Sequence, residues 1–124
     1  MLEIASYSFQ GVPLLSLAGD LDHASAAQFN AAVGRALGSD GNRLLLQLTD
    51  CPYMDSGGIS CLLSLLRRFR PDGWLGVVAP SPDVHRLLNL VGLTLGPNLL
   101  VFAGLEGVRA HLGVPAACAT EPVS

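Results

Sequence analysis

Leu44-Leu45-Leu46-Gln47-Leu48 is followed by Ile59, Leu62, Leu63, Leu66 and Phe69. The first run is a short apolar block of the kind that a strand buried on both faces needs. The second set recurs at the 3.6-residue period of an amphipathic helix. Only a few turn-forming residues separate them, so the chain must pass directly from a central strand into a helix. A unit of that kind favours a layered α/β fold over an all-helical or all-strand one.

The same alternation extends along the chain. Leu2 to Ser8 and Val12 to Ala18 read as two strands with Gln10-Gly11 as the turn between them. Phe29, Ala32, Val33, Ala36 and Leu37 give a helical stripe, with Asp22 or Ser25 as its cap. Arg43 to Leu48 is the third strand. After the second helix come the turn Pro71-Asp72-Gly73 and a fourth strand, Trp74 to Ala79. Ser81-Pro82 then starts a third helix, with Ser as cap and Pro at the first helical position. Its stripe is Val84, Leu87, Leu88 and Val91, and Gly92 stops it. Leu99 to Phe102 is a short fifth strand and Leu105 to Leu112 a fourth helix. The expected architecture is a single α/β domain over residues 1–112. It has a mixed, mostly parallel sheet of five strands packed by four helices. Residues 113–124 are Ala/Pro-rich, lack an apolar period and read as a loose tail.

The chemistry-bearing stretch is Tyr53-Met54-Asp55-Ser56-Gly57-Gly58 at the strand-to-helix junction. Ser56 falls at or near a helix N-cap. Two glycines follow it, although Gly is disfavoured in a helix interior by roughly 1 kcal/mol relative to Ala. Two readings stand side by side. One is a cap serine on a tight turn, and the other is a surface that another molecule approaches closely. A phosphate loop is excluded, because no G-x-x-x-x-G-K-[ST] pattern or reaching lysine is present. A hydrolase elbow would need a glycine two residues before the serine, where Met54 stands.

Composition narrows the class further. The 124 residues carry a formal net charge of −3 with only 14% charged residues, which argues against a nucleic-acid-binding surface. So little charge leaves uncharged surface for a protein partner or for a homodimer. No apolar run approaches the roughly 18 residues of a spanning helix, and no basic leader segment precedes the first strand. A cytoplasmic protein without membrane insertion is expected. The three cysteines, Cys51, Cys61 and Cys118, form no C-x-x-C pair and suit reduced thiols. Cys51 and Cys61 flank the junction, where a redox role competes with ordinary buried thiols. His23, His85 and His111 build no readable triad or metal cluster with Asp20, Asp22 and Asp55. No enzyme activity, cofactor or metal is expected.

Three segments, in order, resemble the STAS domain family, and within it the bacterial anti-sigma factor antagonists. Gly19-Asp20-Leu21-Asp22 resembles that family's acidic loop before the first helix. Tyr53-Met54-Asp55-Ser56-Gly57-Gly58 resembles its Asp-Ser-Ser/Thr-Gly signature. Val84-His85-Arg86-Leu87-Leu88 through Val91-Gly92-Leu93 resembles its third helix and the Gly-Leu after that helix. The resemblance implies a partner-switching regulator of transcription. An anti-sigma factor that is a serine kinase would phosphorylate Ser56, and a PP2C-type phosphatase would reverse it. Partner contacts would involve Asp20, Asp22, His23, Asp55, Gly57 and Gly58. On the face of the second helix opposite the core, Ser60, Cys61, Ser64 and Arg68 would add to them. Gly57 replaces the family's second hydroxyl residue, and Asp20 replaces its usual Glu. Related domains also serve as accessory subunits of membrane transport systems, including ABC-type systems, which is the alternative implied role.

Deleting the residues after Gly113 is expected to leave the melting temperature and partner binding unchanged. A marked drop in melting temperature would show that the tail docks on the domain.

Overall fold

Gln10 and Gly11 both have positive φ, 51° and 80°. A two-residue type I′ hairpin requires that at both central positions. The turn joins β1 (Glu3–Phe9) to β2 (Val12–Ala18), and the two strands pair antiparallel without a break from Phe9↔Val12 to Glu3↔Ala18. The computed structural model describes residues 2–38 and 41–113, so the expected tail beyond Gly113 lies outside the described residues.

From β2 onward every strand adds in parallel. β3 (Arg43–Asp50) pairs with β2, β4 (Trp74–Val78) with β3, and β5 (Leu99–Phe102) with β4. The sheet order is therefore β1-β2-β3-β4-β5. The connections are α1 (Ala26–Leu37), α2 (Ser56–Arg68) and α3 (Pro82–Leu90), and α4 (Leu105–Leu112) follows β5. This is the mostly parallel five-strand, four-helix α/β domain that the sequence pattern predicts.

Alternate residues of each strand face opposite sides, and each side has its own core. On one side Leu15, Leu17, Leu44, Leu46, Leu48, Leu75, Val77 and Leu99 pack against α1, α2 and α3. On the other, Val12, Leu14, Leu45 and Val78 pack against Val108 of α4, with Leu105 and Leu112 beside them. Leu44-Leu45-Leu46 is continuously apolar because β3 is central and covered on both faces.

Boundaries differ slightly from the sequence pattern. β1 runs one residue later than expected, β3 continues to Asp50 and β4 ends at Val78. Leu93–Leu95 forms a short 3₁₀ turn that no periodic signal announced. Val91 caps the end of α3 and is exposed, outside the stripe expected for it. Arg68, at the end of α2, donates from Nη2 to Gly38 O at 3.1 Å, which ties off the C-terminus of α1.

Gly34 lies inside α1, and a Cβ added there meets no atom within 4 Å. Gly34→Ala is expected to stabilise the fold by about 0.5–1 kcal/mol through helix propensity alone. A urea melt with unchanged m-value and a raised midpoint checks this.

Candidate functional site

The loops after β2 and β3 are stitched into one unit. Leu21 and Met54 form an isolated parallel bridge beyond the ends of their strands. Its hydrogen bonds run from Leu21 N to Tyr53 O at 3.2 Å and from Asp55 N to Leu21 O at 3.3 Å. Gly19 N to Asp50 O at 3.0 Å anchors the same pair of loops one step earlier. Both Leu21 and Met54 are buried, so the stitch has an apolar floor.

That closeness explains the two glycines. A Cβ on Gly57 would lie 2.7 Å from the ring Cγ and the backbone N of His23. A Cβ on Gly58 would overlap Leu21 O and Met54 Cγ. Real Cβ atoms essentially never make contacts under 3.0 Å, so neither position accepts a side chain without a shift of the loop. The molecule that approaches closely is thus this chain's own β2–α1 loop. Gly57 and Gly58 are buried beneath that loop, in contrast with the partner-facing position expected of them.

The cap assignment also moves by one residue. Asp55, in extended backbone, is the N-cap of α2, and its Oδ1 accepts from Gly57 N at 2.8 Å and Gly58 N at 3.1 Å. Ser56 is the first helical residue and is exposed. The sequence places a serine and an aspartate side by side at a helix start, and both are good caps. The stitch decides between them, because it holds Asp55 extended through its own N–H. Two helix-end donors, the N–H groups of Gly57 and Gly58, are held by Asp55 in place of Ser56.

The β2–α1 loop sets His23 against the first turn of α2, next to Asp55 and Ser56, and carries Asp20 and Asp22 on either side of Leu21. Asp20 and His23 are exposed, whereas Asp22 and Asp55 are half-buried. Asp22 has a local structural duty. Its Oδ1 accepts from Ser25 N at 3.1 Å while its own N–H donates to Ser25 Oγ at 3.0 Å, a capping box on the short 3₁₀ turn His23–Ser25 before α1. Asp22 and Ser25, the two expected caps, hold each other.

Along α2, Ser60 and Ser64 are exposed and continue the line of Ser56 at four-residue spacing. Cys61 does not join them. It is buried, while Leu63, expected in the core, is 37% exposed. The doublets Leu62-Leu63 and Leu65-Leu66 allow the apolar stripe to be drawn on either side. Packing of α2 against α1 and the 3₁₀ turn selects the Cys61 side.

A shallow groove missed in the sequence runs between the β3–α2 loop and α3. Pro52, Tyr53, Met54, Val84, Leu87 and Leu90 line it together with the charged pair Asp83 and Arg86, and Tyr53 and Leu90 are 53% and 76% exposed. Leu90 was visible only as an apolar residue out of phase with its helix.

Residues 3–103 match the STAS domain. The chain belongs to the STAS domain family. The chain is 29% identical over 94 residues to the anti-sigma F factor antagonist of Paenibacillus polymyxa, covering 74% of this chain and 80% of that one. It is 28% identical over 101 residues to the anti-sigma-F factor antagonist RsfB of Mycobacterium tuberculosis, covering 80% and 83%. Two of the solved structures that share its fold show the likeness. One is an anti-sigma factor antagonist from Mycobacterium paratuberculosis, with TM-score 0.80, 20% identity and coverage of 91% and 95%. The other is the Bacillus cell fate determinant SpoIIAA in its phosphorylated form, with TM-score 0.65, 20% identity and coverage of 90% and 99%.

Within this STAS domain the cysteines beside the site are buried. Burial pushes the Cys51 thiol above its ordinary pKa, and it does the same to Cys61, where the charge of Asp55 adds to the effect. A redox role needs an accessible thiolate, and neither residue offers one. His85 is half-buried on α3, and His111 stands edge-on to Trp74 and Phe102. Among the described residues, no group of three or more His, Cys, Asp or Glu could hold a metal ion, and no helix is long and apolar enough to cross a membrane.

Three substitutions separate the roles at the turn. Gly58→Ala is expected to destabilise by about 1–3 kcal/mol, the cost of forcing atoms into a packed site. Asp55→Ala loses the cap and should cost about 0.5–2 kcal/mol. Ser56→Ala, at an exposed position without a capping duty, should stay within about 0.5 kcal/mol of wild type. Denaturant melts of the three proteins give this order, and a Ser56→Ala loss as large as that of Asp55→Ala would contradict it.

Proposed function

We propose that this chain is an anti-sigma factor antagonist without catalytic activity of its own, acting in the cytoplasm of a bacterium. Its unphosphorylated form binds an anti-sigma factor serine kinase and frees the sigma factor. That kinase transfers the γ-phosphoryl group of ATP to Ser56 Oγ: a phosphorus–oxygen bond forms at the serine, the bond to ADP breaks, and the hydroxyl proton is released. A PP2C-type phosphatase hydrolyses the phosphoserine and restores the binding form. The relatives that carry the antagonist name support the coarse reading.

The observation that carries the finer reading is the exposure of Ser56 at the first position of α2, with the capping work done by Asp55. An acceptor serine must be reachable and must be modifiable without unfolding the domain. A phosphate there adds about −1.5 to −2 charges at neutral pH. Since Asp55 already occupies the N–H groups of Gly57 and Gly58, those two donors are not free to bind the phosphate. It stands outward beside the Asp55 carboxylate, next to the loop that carries Asp20 and Asp22. A partner docked over Ser56, on the line of Ser60 and Ser64 or in the groove at Tyr53 and Leu90, would meet that charge directly.

The test compares affinity capture by the wild type, Ser56→Ala and Ser56→Asp, with mass spectrometry of the bound proteins and of Ser56. Ser56→Ala is expected to hold the kinase in the presence of ATP, while the wild type becomes phosphorylated and lets go. Ser56→Asp should bind weakly with an unchanged melting temperature. Equal capture by Ser56→Asp and wild type would overturn the switch. Recovery of a transporter ATPase subunit in place of a kinase would overturn the partner class.

A further inference from the structure

Asp55 holds the N–H groups of Gly57 and Gly58, so two of the donors that a helix start offers an anion are in use. Counter-charge for a phosphate on Ser56 then falls to cationic side chains. The chain's seven lysine-plus-arginine residues are all arginines. Six of them stand at the other end of the sheet from Ser56. Arg43 opens β3, whereas Ser56 follows the end of that strand. Arg67 and Arg68 close α2, roughly 18 Å along the helix at 1.5 Å per residue. Arg70 follows them, and its N–H donates to the side chain of Asn42, just before β3. Arg35 lies in the last turn of α1, at the helix end to which Arg68 is tied. Arg109 lies in the last turn of α4, with its guanidinium over the ring of Phe9 beside the Gln10-Gly11 turn. The seventh, Arg86 on α3, lines the groove beside Tyr53 and Met54 and is paired with Asp83.

His23 is placed differently. Its imidazole Cγ, backbone N and Cα all lie within 3 Å of the point where a Cβ of Gly57 would stand. The residue therefore rests on the first turn of α2, at the position next to Ser56, and it does so only because residue 57 has no side chain. It is also exposed. Carboxylates near it in the chain and across the bridge have other duties. Asp22 Oδ1 accepts from Ser25 N and Ser25 Oγ, and Asp55 Oδ1 accepts from the amides of α2. Among the described residues His23 takes part in no ion pair.

We propose that His23 is the counter-charge of phosphorylated Ser56, its imidazolium pairing with the phosphoserine beside the glycine on which it rests. The inference rests on the reading of Ser56 as a phosphoacceptor and adds what the modified state does inside the domain. The pair ties the β2–α1 loop to the start of α2 through a charge, where the unmodified chain has only the backbone bridge. An imidazole and a phosphomonoester ordinarily titrate near 6.5 and 6. Two groups that titrate so close together shift each other when paired, the imidazole upward and the phosphate downward. The other titratable groups of the two loops and of the first turns of α2 are Asp20, Asp22, Cys51, Tyr53, Asp55 and Cys61. All six are present with and without the phosphate, so a change between the two states reports the phosphate itself.

Phosphoserine installed at position 56 during synthesis tests this in the full chain without a kinase. Phosphorus-31 NMR follows the phosphate and proton NMR the His23 ring through the neutral pH range at low salt. The phosphate midpoint of the wild type is expected about half a pH unit below that of His23→Gln, and the His23 ring should titrate about half a unit higher with the phosphate than without it. Both differences should shrink in about 1 M salt. Arg86→Gln, whose charge is already held by Asp83, should have the smaller effect on the phosphate. A role for His23 confined to packing on Gly57 would move the melting temperature and leave both midpoints where they are. If His23→Gln loses its fold, the ring titration of the wild type with and without phosphate decides. Equal phosphate midpoints in the wild type and His23→Gln, a His23 ring indifferent to the phosphate, or a larger effect from Arg86→Gln would each overturn the inference. Because the phosphate is built in, these outcomes are separate from whether a kinase modifies Ser56, which affinity capture reads.

Discussion

The contact between the β2–α1 loop and the start of α2 sets the geometry of everything at this end of the domain. It is a backbone interaction, a strand-like bridge between Leu21 and Met54 that continues the sheet past its regular end. It closes only because residues 57 and 58 lack a Cβ. Once closed, it brings His23 over the first turn of α2 and fixes the backbone of Asp55 in the extended form that a cap requires. The juxtaposition of the β2–α1 loop and Ser56 is therefore a product of main-chain packing and needs no attraction between side-chain charges.

Asp55 and Ser56 are adjacent in sequence and opposite in duty. The carboxylate holds two helix-end donors, whereas the hydroxyl lies one residue further on, facing out. Had Ser56 been the cap, esterifying its oxygen would alter the bond that starts the helix. With Asp55 in that position, chemistry at Ser56 and stability of α2 are separate variables, which suits a residue whose modification must be reversible.

Most of the fold was legible in the sequence because its elements carry strong periods. The apolar block of β3, the stripe of α1 and the Ser81-Pro82 start of α3 are local signals with little competition. The errors fall where tertiary contact chooses between local equals. Asp55 and Ser56 could each cap α2, and only the bridge through Asp55 N decides. Leu63 and Cys61 lie on either side of the same stripe, and only the neighbouring α1 decides. Gly57 and Gly58 announced a close approach, but a single sequence does not say whether the approaching body is the chain itself. The groove at Tyr53 and Leu90 joins residues from two elements and carries no linear pattern. The acidic loop and Ser56 were brought into one site by resemblance, and their physical connection through Leu21 emerged from the backbone.

The sheet is laid down in the order of the chain, each strand beside the one before it. No strand is inserted between two that are already paired, so the sheet can grow from its N-terminal hairpin outward as the chain emerges during synthesis. Each new β–α unit needs only the edge left by its predecessor, which keeps the loops to be closed short for a mostly parallel sheet. The tight turn at Gln10-Gly11 supplies the first such edge from entirely local residues. The hairpin is thus both the natural starting point for assembly and the one element whose outer side no later part of the sheet comes to cover.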